Sequence, residues 1–192
     1  MNKQSIYIYY NYLKTLQNEV EVLYFLISCL LFIAGIGFAQ HASLRNEDAL
    51  KYVDPYIGSD YHGHVFVGTN VPYGMIQLGP SNIHKGWDWC SGYHYSDSIL
   101  IGFSHTHLSG TGCTDLGDIL IMPLNEIRTP RGNQDDIQGG YASKYSHDNE
   151  IVRPEYYSLL VDRYGIKAEL TTTDRVGFHR YTYPEANQPQ YL

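Results

Sequence analysis

Hydrophobic and polar positions alternate most regularly in the last third of the chain. In residues 166–171, apolar side chains alternate with polar or charged ones, and residues 176–181 show the same period of two. This is the period of a strand with one buried face. Residues 156–161 form a further strand-like apolar run, and the polar residues 162–165 separate it from the next one as a turn. The pattern predicts a β-meander from Tyr141 onward.

Three shorter apolar runs lie upstream of this meander. Residues 75–78 predict a short strand closed by Gly79-Pro80, and residues 99–103 predict a second strand. Residues 118–124 are apolar almost without interruption, which predicts a strand buried on both faces. Because no stretch after residue 40 has the period of a long amphipathic helix, the predicted fold is all-β, an antiparallel β-sandwich.

The N-terminal part has a different pattern. Residues 23–39 contain no charge and end in small residues, which predicts that residues 1–39 are a secretory signal peptide cleaved after Ala39. The alternative is an uncleaved N-terminal anchor, because a run of this length can nearly span a bilayer. Either alternative places the rest of the chain outside the cytoplasm. Residues 40–51 are predicted to be a linker with a possible short helix, and residues 52–192 the ordered body.

Charge restricts the partners of this body. The formal net charge of the chain is −7 and it contains no basic run, which argues against nucleic acid or an anionic membrane surface as a partner. The 19 tyrosines fit either strands or a sugar-binding surface, because tyrosine favours both.

Residues 86–113 concentrate the candidate chemistry. This stretch holds both tryptophans, three histidines, two cysteines and several glycines. Aromatic and imidazole rings between glycines suit a cleft floor that stacks and hydrogen-bonds a polar, ring-shaped ligand. The alternative is a glycine-rich turn region around buried tryptophans.

Two H-x-H pairs, at residues 62–64 and 105–107, are candidate metal ligands. On a strand, residues i and i+2 share a face, so each pair could hold a metal ion, with Cys90 or Cys113 completing a zinc site. Histidine has many other uses, and that alternative stays open. The two cysteines could form a disulfide in an exported protein, or both remain reduced.

Four aspartates lie near the aromatic stretch: Asp88, Asp97, Asp115 and Asp118. Glycoside hydrolysis needs two carboxyl groups. Each aspartate also has a structural interpretation, in turns or at strand ends. Asp88 lies between two tryptophans, where a carboxylate can bind sugar hydroxyls.

Four long motifs, in the same order along the chain, resemble those of a known protein family. The segments VDPYIG at 53–58, VPYGMIQLGP at 71–80, GWDWCSGY at 86–93 and GFSHTHLSGTG at 102–112 resemble the N-terminal domain of glycoside hydrolase family 92. The members of this family are exo-acting α-mannosidases, often α-1,2-specific, found mostly in bacteria that degrade glycans. The resemblance covers about residues 52–183.

The resemblance implies a β-sandwich packed on a larger C-terminal (α/α)₆ barrel, with the active site between them. It implies a calcium-dependent, inverting reaction on mannose-containing glycans. In the family, the acid, the base and the calcium ligands come mainly from the barrel. This chain is expected to be truncated before that barrel, so no catalytic residue and no metal ligand are assigned to it, and it is expected not to hydrolyse glycosides alone.

The resemblance implies that this chain contributes the part of the sugar pocket that belongs to the sandwich domain. Trp87, Asp88 and Trp89 are the predicted substrate contacts, and His105 and His107 are predicted to line or support the pocket. Two other functions stay open. One is a stand-alone carbohydrate-binding module, and the other is a metal-dependent enzyme built on the histidine pairs.

Overall fold

A computed structural model describes residues 21–24, 27–28, 47–133 and 135–192. By compactness, the chain divides into the units Met1–Lys51 and Tyr52–Leu192. The described residues of the predicted signal peptide, 21–24 and 27–28, are helical, whereas its predicted cleavage site lies outside the described residues. Within the predicted linker, Glu47–Leu50 is a short helix. No helix among the described residues is both long and apolar enough to cross a bilayer.

Seven strands form two antiparallel sheets in the second unit. The first sheet has the order β1-β2-β3 and the second the order β4-β5-β6-β7. The strands are β1 (Gly79–Asn82), β2 (Ile99–Ser104), β3 (Ser143–Lys144), β4 (Ile151–Arg153), β5 (Tyr156–Val161), β6 (Ile166–Thr172) and β7 (Gly177–Thr182). Two 3-10 helices, Trp87–Trp89 and His147–Asn149, lie in the connections.

The two sheets share one hydrophobic core. Leu100 and Phe103 of β2 belong to the same buried cluster as Leu159 of β5 and Ile166 of β6. Burial of each such side chain contributes about 1.5–3 kcal/mol to folding. The all-β sandwich predicted from the sequence is therefore confirmed.

The second sheet follows the predicted meander closely. Along β6, buried positions alternate with more exposed ones, as the period-two pattern predicts. Along β7, Gly177, His179 and Tyr181 are half-buried, whereas Phe178 and Arg180 are exposed. The strand pairs β5–β6 and β6–β7 are continuous ladders.

The strand predicted at residues 75–78 is wrong, because the structure has its strand in the next four residues, 79–82. Leu78 makes only an isolated bridge with Thr69, and β1 begins at Gly79. A Cβ atom at Gly79 would lie 2.1 Å from the carbonyl oxygen of Val67, so only glycine lets these backbones approach so closely. β1 is an edge strand, where the missing N–H of Pro80 is tolerated.

The strand predicted at residues 118–124 is also wrong. This segment makes only two isolated bridges, Phe103 with Ile121 and Leu124 with Tyr191. Ile119 is 69% exposed and has a φ of 54°, a left-handed conformation that strands do not use. The apolar run therefore crosses the end of β2 as an irregular chain, with Met122 buried in the core.

Candidate functional site

The 3-10 helix Trp87–Trp89 presents the three predicted substrate contacts in three directions. Successive residues of a 3-10 helix are rotated by about 120°, so three neighbours cannot share a face. Trp87 is 58% exposed, while Asp88 and Trp89 are half-buried. The helix begins after Gly86, whose φ of 134° is unfavourable for residues with a side chain.

Trp87 is contacted by two histidines and by a neighbouring loop, and it leaves much of its surface exposed. Its ring centroid lies 4.3 Å from that of His64, edge-on, and 5.4 Å from that of His62. On another side the chain passes so closely that a Cβ atom at Gly112 would lie 2.4 Å from Nε1 of Trp87. These contacts fix the indole in a loop region without covering it.

Asp88 is anchored by the same two histidines. Nδ1 of His62 is 2.6 Å from Oδ1 of Asp88, and Nε2 of His64 is 3.4 Å from that oxygen. The hydrogen bond with His62 is the largest effect and holds the pKa of Asp88 below its usual value, while burial opposes it and the weaker hydrogen bond with His64 adds to it. Among the described residues, none donates a hydrogen bond to Oδ2. The arrangement leaves an ionised carboxylate with one free oxygen next to an exposed indole.

The side chain of Trp89 is occupied by contacts within the protein. Its Nε1–H donates a 2.7 Å hydrogen bond to Oδ2 of Asp97, and its ring stacks on His94 at 4.3 Å. Nζ of Lys85 lies 2.9 Å from Oδ2 of Asp97 and 5.6 Å from the centre of the Trp89 ring. Asp97 also accepts hydrogen bonds from the backbone at the start of β2. Trp89 thus ties the 3-10 helix to β2.

His105 and His107 do not form a pair, because they follow the end of β2 and contact different parts of the protein. Nδ1–H of His107 donates a 2.8 Å hydrogen bond to the carbonyl of Gln77, and its Nε2 is 3.3 Å from Oγ of Ser81. Burial lowers the pKa of His107 to about 4. His105 instead contacts Ile119 and His179.

A cavity of about 270 Å³ lies beside Trp89 and His107. Its wall includes the hydrogen-bonded pair Ser81 and Ser104, with Cys90 nearby. Trp87 and Asp88 are not part of this wall. Of the five predicted site residues, the structure therefore places Trp87 and Asp88 against the same two histidines, His62 and His64, places Trp89 and His107 at this cavity, and leaves His105 elsewhere.

Cys90 and Cys113 are both reduced in the structure. Cys90 is buried and its thiol donates to the carbonyl of Thr111 at 2.9 Å, whereas Cys113 is exposed. Burial raises the pKa of the Cys90 thiol, which keeps it protonated and unreactive at neutral pH. Of the two alternatives left open by the sequence, the structure has the reduced one.

Neither the zinc site considered as an alternative for the two H-x-H pairs nor a calcium site is present among the described residues. In that part of the chain, no group of three or more His, Cys, Asp or Glu side chains could hold a metal ion. Calcium takes six to eight oxygen ligands, so these residues do not fit a calcium site. The pair His62 and His64 does converge, but on the carboxylate of Asp88.

Residues 52–192 match the sequence model of the glycosyl hydrolase family 92 N-terminal domain. The chain belongs to glycoside hydrolase family 92. An α-mannosidase of this family from Bacteroides thetaiotaomicron, solved in complex with mannoimidazole, is 45% identical and superposes with a TM-score of 0.69 over 72% of this chain and 18% of its own. A second Bacteroides thetaiotaomicron protein, described as an inverting mannosidase of family 92, is 26% identical with a TM-score of 0.56, over 73% of this chain and 18% of its own.

One curated relative is a fungal protein. An uncharacterized secreted glycosidase of Arthroderma benhamiae is 30% identical over 162 residues, which are 82% of this chain and 20% of the relative. The chain therefore spans about a fifth of the length of the relatives it matches.

Proposed function

We propose that residues 52–192 are the substrate-pocket domain of an exported α-mannosidase that acts on mannose-containing glycans. The proposal rests on membership of family 92 and on the similarity to an enzyme solved with mannoimidazole. Calcium dependence and inversion at the anomeric carbon, which the family resemblance implies, are part of the proposal. Export is supported by the uncharged segment 23–39 and by the fungal relative described as secreted.

The observation that carries the proposal is the pair Trp87 and Asp88. The apolar C–H face of a mannose ring can pack on the exposed indole, while a sugar hydroxyl donates to the free Oδ2 of Asp88. A hydrogen bond to a charged group contributes about 1.5–3 kcal/mol. His62 and His64 orient the carboxylate before the sugar arrives, so binding requires little reorganisation.

The same geometry argues against Asp88 as the catalytic acid. A general acid in glycoside hydrolysis needs a raised pKa, whereas its histidine neighbours lower the pKa of Asp88. Inversion requires an acid and a base about 6.5–9.5 Å apart across the scissile bond. We place that pair and the calcium ligands in the barrel of the complete enzyme, and we expect this chain alone to bind mannosides without hydrolysing them.

Calorimetric titration of the 192-residue chain with mannoimidazole and with α-1,2-mannobiose tests the binding role. Trp87→Ala and Asp88→Asn should each weaken binding at least about tenfold, which is about 1.4 kcal/mol. Tyr73→Ala removes a fully exposed aromatic side chain outside the predicted site and serves as the control. If all variants bind with the affinity of the wild type, Trp87 and Asp88 are not part of the binding site.

Sequencing the DNA downstream of the codon for Leu192 tests whether the chain belongs to a longer enzyme with a barrel domain. A continuing or frameshifted barrel sequence would support an active mannosidase, in which the same variants should lower kcat/KM. Unrelated DNA would favour the alternative, a stand-alone carbohydrate-binding sandwich. The compact unit Tyr52–Leu192, with a core of its own, is the observation that favours this alternative.

A further inference from the structure

His105 and His179 bring two imidazole rings together between the sheets. His105 follows β2 of the first sheet, and His179 lies in β7 of the second. Their Nε2 atoms are 3.0 Å apart, and the ring centroids are 4.8 Å apart. Gly177 makes room for this contact, because a Cβ atom there would lie 2.9 Å from Cδ2 of His105. Both histidines are half-buried.

The hydrogen bonds around the pair define its protons. Nδ1 of His105 is 2.9 Å from the carbonyl oxygen of Ile119, which only accepts, so this nitrogen carries the hydrogen and Nε2 is bare. Nε2–H of His179 then donates to Nε2 of His105. It follows that Nδ1 of His179 accepts from the hydroxyl of Tyr181, at 2.6 Å. The neutral pair forms a one-directional chain of three hydrogen bonds.

We propose that His105 and His179 form a binding site for a divalent transition-metal ion of the zinc class, through both Nε2 atoms. Metal–nitrogen distances of about 2.0–2.1 Å and the observed separation of 3.0 Å give a nitrogen–metal–nitrogen angle of roughly 95°. Imidazole nitrogens suit zinc, nickel and copper ions. Water completes the coordination, since the described residues offer no third ligand.

Metal binding requires one internal proton shift. The hydrogen of His179 moves from Nε2 to Nδ1, and the Tyr181 hydroxyl changes from donor to acceptor. Both Nε2 lone pairs are then free for the metal, and no net proton is released. Each ligand would donate its other ring N–H to an oxygen, Ile119 O for His105 and Tyr181 Oη for His179, the arrangement that orients most metal-binding histidines.

The test is titration of the chain, purified without a histidine tag, with zinc chloride. We expect one zinc ion per chain and an upward shift of the thermal midpoint, because the ion connects the two sheets. In the wild-type protein labelled with ¹⁵N-histidine, zinc should move the Nε2 resonances of His105 and His179. His105→Ala and His179→Ala should each weaken binding at least tenfold, whereas His84→Ala, an exposed histidine elsewhere, should not.

Two further variants separate coordination from folding. Tyr181→Phe removes the acceptor for Nδ1–H of His179, so Tyr181 is a positioning residue, and zinc affinity should fall about tenfold. Gly177→Ala should displace the His105 ring and weaken binding similarly. The proposal is overturned if 1 mM zinc leaves the Nε2 resonances of both histidines in place. It is also overturned if zinc binding survives both alanine substitutions or disappears with His62→Ala instead.

Discussion

The hydroxyl of Tyr157 donates a 2.6 Å hydrogen bond to Oε1 of Glu150, a carboxylate whose side chain has no exposed surface. The other oxygen of Glu150 is 2.6 Å from Nδ1 of His147 and also accepts from Tyr56 and Tyr93. Burial, and next the negative charge of Glu150, raise the pKa of Tyr157. A buried carboxylate with three tyrosine donors and a histidine neighbour therefore connects β5 to the loop that contains Tyr93.

Removing this carboxylate should destabilise the sandwich. In Glu150→Ala, the hydroxyls of Tyr93 and Tyr157 lose a buried acceptor, so the free energy of unfolding should fall by about 3–5 kcal/mol. Urea denaturation followed by circular dichroism measures the change. Glu185→Ala, at an exposed position, is the control and should change stability by less than about 0.5 kcal/mol. Similar stability of the two variants would show that the buried network is not stabilising.

His107 should make the fold sensitive to acid. Its pKa is about 4 in the folded protein, because it is buried, against an ordinary value of 6.5. Between these values the unfolded chain binds more protons than the folded one, so stability falls as the pH drops from about 6.5 to about 4. The loss from this residue is about 3 kcal/mol at pH 4 and is absent above pH 7. The midpoints of urea unfolding, measured at steps of half a pH unit, give the dependence of stability on pH.

His107→Asn supplies the comparison for that slope. Asparagine can still hydrogen-bond to the carbonyl of Gln77 but does not titrate. The variant should be less stable at pH 7 and should lose less stability on acidification than the wild type. An unchanged acid slope would assign the pH dependence to other groups, such as His179, whose pKa burial also lowers to about 4.

The two cysteines of the sandwich should differ in thiol reactivity. Cys113 is exposed, whereas Cys90 is buried with a raised pKa. Ellman's reagent added to the native chain with Cys29→Ser in every variant should therefore show a fast phase that Cys113→Ser removes and Cys90→Ser leaves in place. Equal rates for the two thiols would show that Cys90 is accessible.

Local pattern was sufficient to predict the strands that have apolar runs or alternating side chains. β2 and β5 formed at apolar runs that are largely buried, whereas β6 and β7 formed where side chains alternate, because burial on one face imposes that period. β1 was misplaced because its residues, GPSN, are buried without being apolar. The short strands β3 and β4 contain only two and three residues, too few for any period to be visible.

Long-range contacts explain what the sequence did not predict about the site. The spacing of His62 and His64 indicated a shared target, but nothing local indicates that the target is Asp88, 24 to 26 residues away. Similarly, His105 was grouped with His107 by spacing, whereas its partner in space is His179, 74 residues away. Such pairs depend on how the sheets pack.

Gly112 should control the exposed indole of Trp87. A methyl group in Gly112→Ala would lie 2.4 Å from Nε1 of Trp87, so the ring must move away from its contact with His64. We expect weaker binding of mannoimidazole by about tenfold and a change in the iodide quenching of tryptophan fluorescence. Gly110→Ala tests the same loop at a glycine with open space around it, although its φ of 75° costs about 1–2 kcal/mol for alanine. If the loop's backbone freedom were what matters, Gly110→Ala would weaken sugar binding as much as Gly112→Ala; if the indole position matters, only Gly112→Ala will.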